Sequence, residues 1–82
     1  MRGIVKVVGT NKPLSRFQDY QGEGGITSVA NKTFALFIGD DNIAFQIYKF
    51  EIHPNHIFME GWGAIGQDSG RIGIEFIPNN EI

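Results

Sequence analysis

Between Thr33 and Ile77 apolar residues recur mostly at every second position, the period of a strand with one buried face, and turn-forming residues cut this pattern into segments. Gly39-Asp40-Asp41-Asn42 reads as a hairpin turn, because glycine, aspartate and asparagine tolerate the positive φ of tight hairpins. Counting outward pairs Ile38 with Ile43, Leu36 with Phe45 and Phe34 with Ile47, leaving Thr33, Ala35, Phe37, Ala44 and Gln46 on the second face. Another turn falls at His53-Pro54-Asn55-His56, where proline presets the first central position and asparagine accepts the second. That register sets Ile52 against Ile57, Phe50 against Met59 and Lys49 against Glu60, the last an opposite-charge pair contributing about 0.2–1 kcal/mol. It also assigns Tyr48, Phe50, Ile52, Ile57 and Met59 to the core. Core positions are odd from Ile43 to Ile47 but even from Tyr48 to Ile52, so an extra residue, a β-bulge, is predicted near Ile47-Tyr48.

Upstream, residues 3–8 form a nearly continuous β-branched run that reads as a strand mostly covered on both faces and ended by Gly9-Thr10-Asn11. Residues 9–32 lack a clear period and read as a long loop, in which Pro13 can open one short helical turn and Gly22-Glu23-Gly24-Gly25 ends it. Downstream, Gly61, Gly63 and Gly66 break the fourth strand, residues 66–70 form a loop, and Ile72, Ile74 and Phe76 line a last strand stopped by Pro78. The predicted strands are therefore about 3–8, 33–38, 43–52, 57–65 and 71–77 of one small domain spanning 1–82. This is an all-β, mainly antiparallel pattern, expected to curl into a small five-stranded barrel or sandwich. Its spacing is similar to that of five-stranded SH3-like barrels, where a long excursion also follows the first strand.

Composition supports sheet: twelve isoleucines and four valines stand against two leucines. The absence of cysteine removes disulfide scaffolds, thiolate metal sites and cysteine nucleophiles. No apolar run approaches the roughly 20 residues of a membrane helix, and Met1-Arg2-Gly3-Ile4-Val5-Lys6 is too short and charged for a signal peptide, so a soluble cytoplasmic protein without membrane contact is expected.

Several short motifs suggest chemistry, and each has a plainer reading. Gly61-Trp62-Gly63-Ala64-Ile65-Gly66 matches the dinucleotide fingerprint, but that motif must open a helix whose N-terminus holds the pyrophosphate, and here a loop and strand follow. Gly22-Glu23-Gly24-Gly25 could present successive N–H groups to an anion, yet it lacks the lysine and hydroxyl of a P-loop and carries a repelling carboxylate. His53, His56 and Glu51 share one hairpin tip and are chemically able to bind zinc, but a solvated tip lacks the shaped cavity and supporting partners of such sites. Asp68-Ser69-Gly70 is composed of turn formers, with no oriented histidine to activate the serine. Neither cofactor nor metal is expected.

Charge is unevenly spread. Residues 1–18 hold Arg2, Lys6, Lys12 and Arg16 and no acid, whereas the remainder holds three cations and nine acids, for a net charge of −2. A basic segment with Phe17 and Tyr20 could follow a nucleic-acid backbone and stack bases, or it could lie on its own acidic barrel. The second hairpin offers a stronger candidate, because its polar face (Lys49, Glu51, His53, His56, Glu60) also holds Phe58 and Trp62, and aromatics within a polar rim are the composition of a binding patch. Alternatively, residues 9–32 fold over that face. The expected function is a small non-enzymatic protein-interaction module that self-associates, with its patch on residues 49–62. The alternative is a nucleic-acid-binding small β-barrel using Arg2, Lys6, Lys12, Arg16, Phe17 and Tyr20.

Overall fold

Two-residue turns and glycine contacts explain most of the architecture. The computed structural model describes residues 1–79. It contains β1 (Arg2–Thr10), a 3₁₀ turn (Lys12–Phe17), β2 (Gln21–Ala30), β3 (Thr33–Ile38), β4 (Asp41–Ile52), β5 (Ile57–Ile65) and β6 (Asp68–Pro78). Every pairing is antiparallel, each strand bonds to the next in sequence, and β6 returns to β1, closing a six-stranded barrel. Closure removes the open sheet edges along the paired lengths.

The expected five strands become six. Gln21–Ala30, read as part of a long loop, is a full strand pairing with β1 and β3, and the SH3-like spacing disappears with that loop. Its glycines, which disguise it as a loop, serve close approach: a Cβ at Gly24 would strike the Phe37 carbonyl oxygen and come within 2.7 Å of Val5 Cγ2. Between β1 and β2, Pro13 does begin a helical turn, but this is a 3₁₀ turn ending at Phe17. Leu14 and Phe17 from this turn join the core, and the Asn11 N–H donates to the Arg71 carbonyl 2.9 Å away, fixing the turn at the end where β1 finishes and β6 begins.

The first predicted hairpin forms with a shorter turn. Gly39, with φ of +60°, and Asp40 are its only two loop residues, so Ile38 pairs with Asp41, Leu36 with Ile43 and Phe34 with Phe45. A shift of two residues leaves each side chain on its expected face while changing every partner. The 66–70 loop also contracts, to Gly66-Gln67, with Gly66 at φ +61° and Ile65 paired with Asp68, so β5 runs unbroken through Gly61 and Gly63. The second hairpin has the register read from the sequence, Ile52 with Ile57, Phe50 with Met59 and Lys49 with Glu60, and the pairing slips between Ile47 and Lys49 as the parity change requires.

Burial departs from the sequence reading at two places. In β1, read as a strand mostly covered on both faces, Val5 and Val7 are buried but Ile4, Lys6 and Val8 are exposed, because closing the barrel puts one face of the strand inside and the other outside. Val5, Leu36, Ile43, Phe45, Ile74 and Phe76 are fully enclosed, but Tyr48, Phe50 and Ile52, assigned to the core by alternation, are exposed. For Phe50 and Ile52 the reason is a difference in strand length, since pairing between β3 and β4 ends at Thr33 with Gln46 while β4 continues to Ile52; Tyr48 is the extra residue of the bulge and turns outward, to Glu60. Beyond Gln46 the strand has β5 on one side and, among the described residues, no strand on the other.

Candidate interaction surface

The outer part of the β4–β5 hairpin is where the sequence-selected residues and the structural irregularities meet. Its tip is set locally, by Pro54 and Asn55 in the turn and by the His53 N–H donating to the His56 carbonyl at 2.9 Å. The two imidazoles stack with centroids 4.7 Å apart and an interplanar angle of 19°, while His53 Nε2 lies 3.1 Å from Glu51 Oε1. Among the described residues no set of three histidine or acidic groups is placed to hold a metal ion.

Below the tip, the outward face carries Lys49, Glu51, Phe58 and Glu60. The Lys49 ammonium sits 5.7 Å from the Phe58 ring centroid and 3.8 Å from Glu51 Oε2. Phe58 is half-buried and lies against Gly73 on β6, where a Cβ would sit 3.8 Å from Phe58 Cε1, an ordinary contact. The bulge turns Tyr48 to the same face, and its hydroxyl donates to Glu60 Oε2 at 2.9 Å while Arg71 Nε approaches that oxygen at 3.7 Å. Partial desolvation, the hydrogen bond to Glu60 and that carboxylate's charge raise the Tyr48 phenol above its ordinary pKa, against the opposing charge of Arg71. Val8, Thr10, Phe58, Glu60 and Arg71 line a shallow open groove of about 340 Å³. Trp62 lies one step further along β5, between Gln46 and Arg71.

No protein family, curated protein or solved structure matches this chain. The surface must therefore be read from its own geometry.

Relative exposure is 60% for Tyr48, 54% for Phe50, 73% for Ile52 and 50% for Trp62. Phe17 and Tyr20 do not cover them. Phe17 is only 4% exposed, inside the core, and Tyr20 packs against that core with its hydroxyl donating to the Glu23 carbonyl at 2.7 Å. The basic residues likewise form no free arm. Arg2 and Lys6 belong to β1, with Lys6 in register with Glu75, while Lys12 and Arg16 sit in the 3₁₀ turn. Arg16 Nη1 bonds Asp68 Oδ2 at 3.0 Å and its guanidinium lies 4.8 Å from the Phe17 ring centroid. Of the six residues proposed to contact nucleic acid, the buried Phe17 has no face available for a base. Sequence reasoning missed Tyr48, Phe50 and Ile52 as surface residues. The signal that could have found them was already visible: a strand predicted over 33–38 is too short to flank one predicted over 43–52.

The second face of the first hairpin is smoother. Ser69, Ala64, Ala44, Ala35 and Thr27 lie in register across five strands, giving that wall small side chains, with Ala35 buried and Phe37 half-buried. No helix among the described residues is long and apolar enough to cross a membrane.

Proposed function

We propose that this protein is a non-enzymatic protein-interaction module that works through the outer part of the β4–β5 hairpin. The observation that supports this reading is the exposure of four large apolar or aromatic side chains, Tyr48, Phe50, Ile52 and Trp62, on one hairpin whose barrel already encloses a packed core without them. Large apolar groups clustered within a charged rim contribute contact area at low entropic cost when a partner covers them. Lys49, Glu51, Glu60 and Arg71 form such a rim beside Tyr48 and Trp62 on the outward face, while Phe50 and Ile52 are exposed on the opposite face, along the part of β4 that β3 does not flank.

The test is site-specific photocrosslinking. A photoreactive amino acid at Trp62 is expected to yield a discrete protein adduct, and the same group at exposed Thr27 on β2 is expected to yield none. Equal labelling at the two positions overturns the proposal. An adduct lost on nuclease treatment and in about 0.5 M salt also overturns it, in favour of nucleic-acid binding.

A further inference from the structure

The hairpin's open edge has a self-complementary pattern. Between Gln46, the last β4 residue held by β3, and Pro54, which has no N–H to give, lie residues 47–53, and Phe50 is their midpoint. Along a strand the N–H and C=O of one residue point to the same side, and successive residues alternate. Because His53 directs its N–H to His56 on the β5 side, Glu51 and Lys49 also turn theirs toward β5, while Phe50 and Ile52 turn theirs to the open side.

From this geometry we infer that the partner at this edge is a second copy of the chain, joined by antiparallel pairing of β4 with β4 about a two-fold axis through Phe50. The inference rests on the hairpin being the contact surface, and it names the occupant. A two-fold axis at Phe50 sets Phe50 beside its own copy, where both can exchange N–H···O=C bonds, and sets Lys49 opposite Glu51 twice. Moving the axis to Lys49 or Glu51 would place like charges directly opposite, which destabilises an antiparallel pair. Moving it to Ile52 would bring Phe50 against Pro54 and lose a donor. With the axis at Phe50 the lengths also match, since each partner's chain turns away at Pro54 where the other's Gln46 is already held by β3. Phe50 and Ile52 thereby gain neighbours on the side where β3 provides none. The contact is isologous, so it closes on itself as a dimer and leaves no further edge for growth.

Sedimentation velocity on the intact chain from about 1 μM to about 1 mM, the range in which small interfaces associate, is expected to show a monomer–dimer equilibrium. Lys49→Glu alone and Glu51→Lys alone each create like-charge pairs across the axis and are expected to weaken dimerisation by about tenfold, whereas the double exchange restores it. Thermal melts of the dilute variants check that each remains folded. Because the chain has no cysteine, Phe50→Cys provides an independent readout: cysteines on the axis face each other within disulfide reach, while those introduced as Lys49→Cys or Ile52→Cys do not. Rapid oxidation to a disulfide dimer only for Phe50→Cys is the expected result. A monomer at every concentration, equal crosslinking at the three positions, or a double exchange as weak as the single ones overturns the inference. If the chain is monomeric and the probe at Trp62 still captures a different protein, the interaction-module reading stands without this dimer; if it captures none, both fail.

Discussion

The two halves of β4 alternate in the same way and have opposite fates. Ile43 and Phe45 are fully enclosed, whereas Phe50 and Ile52, equally apolar and pointing to the same side of the sheet as buried Met59, are largely exposed. The difference lies in the neighbouring strands. From Asp41 to Gln46 the strand is flanked by β3 on one side, and from Ala44 onward by β5 on the other; past Gln46, among the described residues, β5 is its sole neighbouring strand. Burial of a strand residue thus depends on strands whose lengths are set elsewhere, and alternation states only which face a residue would present if those strands were there.

Truncating one phenylalanine in each half of β4 separates their roles most directly. Phe45→Ala is expected to lower unfolding free energy by about 3–5 kcal/mol, the cost of deleting a buried aromatic, and Phe50→Ala by about 1 kcal/mol or less. Urea melts at low protein concentration give both values, and equal losses would mean the second half of β4 is as enclosed as the first. A smaller effect sharpens the contrast on the outer face. Trp62→Ala is expected to cost about 1 kcal/mol or less in the same melts, because the indole is half exposed. A loss near that of Phe45→Ala would show that another segment covers Trp62.

The smallest expected effect concerns the bulge that separates the halves. With Tyr20→Phe removing the other tyrosine, ultraviolet titration is expected to place Tyr48 ionisation above the ordinary value of about 10, and Glu60→Gln is expected to lower it. Since the neutral phenol is favoured in the fold, its contribution to stability is complete below the unfolded pKa and is lost as pH rises through the folded one. Tyr48→Phe should therefore remove that part of the alkaline loss of stability.

The second hairpin was legible in the chain because three local signals agree on one register: Pro54-Asn55 in the turn, Ile52 facing Ile57, and Lys49 facing Glu60. Even its bulge was visible as a change of parity. β2 was not legible, since Gly22, Gly24 and Gly25 are poor strand formers taken alone, and the need for glycine emerges only once the Phe37 carbonyl and Val5 crowd Gly24 and the Met1 carbonyl crowds Gly25. The candidate surface was half legible. Phe58 and Trp62 stand out as aromatics among charges, while Phe50 and Ile52 look like core until β3 is found to stop short.

The chain's local features were readable on their own: its all-β character, the neighbourhood of three of its turns, the face most residues of the later strands take, and the pairing of one hairpin. Those features depend on backbone preferences and on contacts a few residues apart. Only the assembled barrel shows that the glycine-rich segment is a sixth strand, that Leu14 and Phe17 join the core, and that the end of β4 runs past β3 with β5 on one side. Each of these is settled by which strands lie side by side and how far they run together, and that depends on closing the whole sheet, which no single segment encodes.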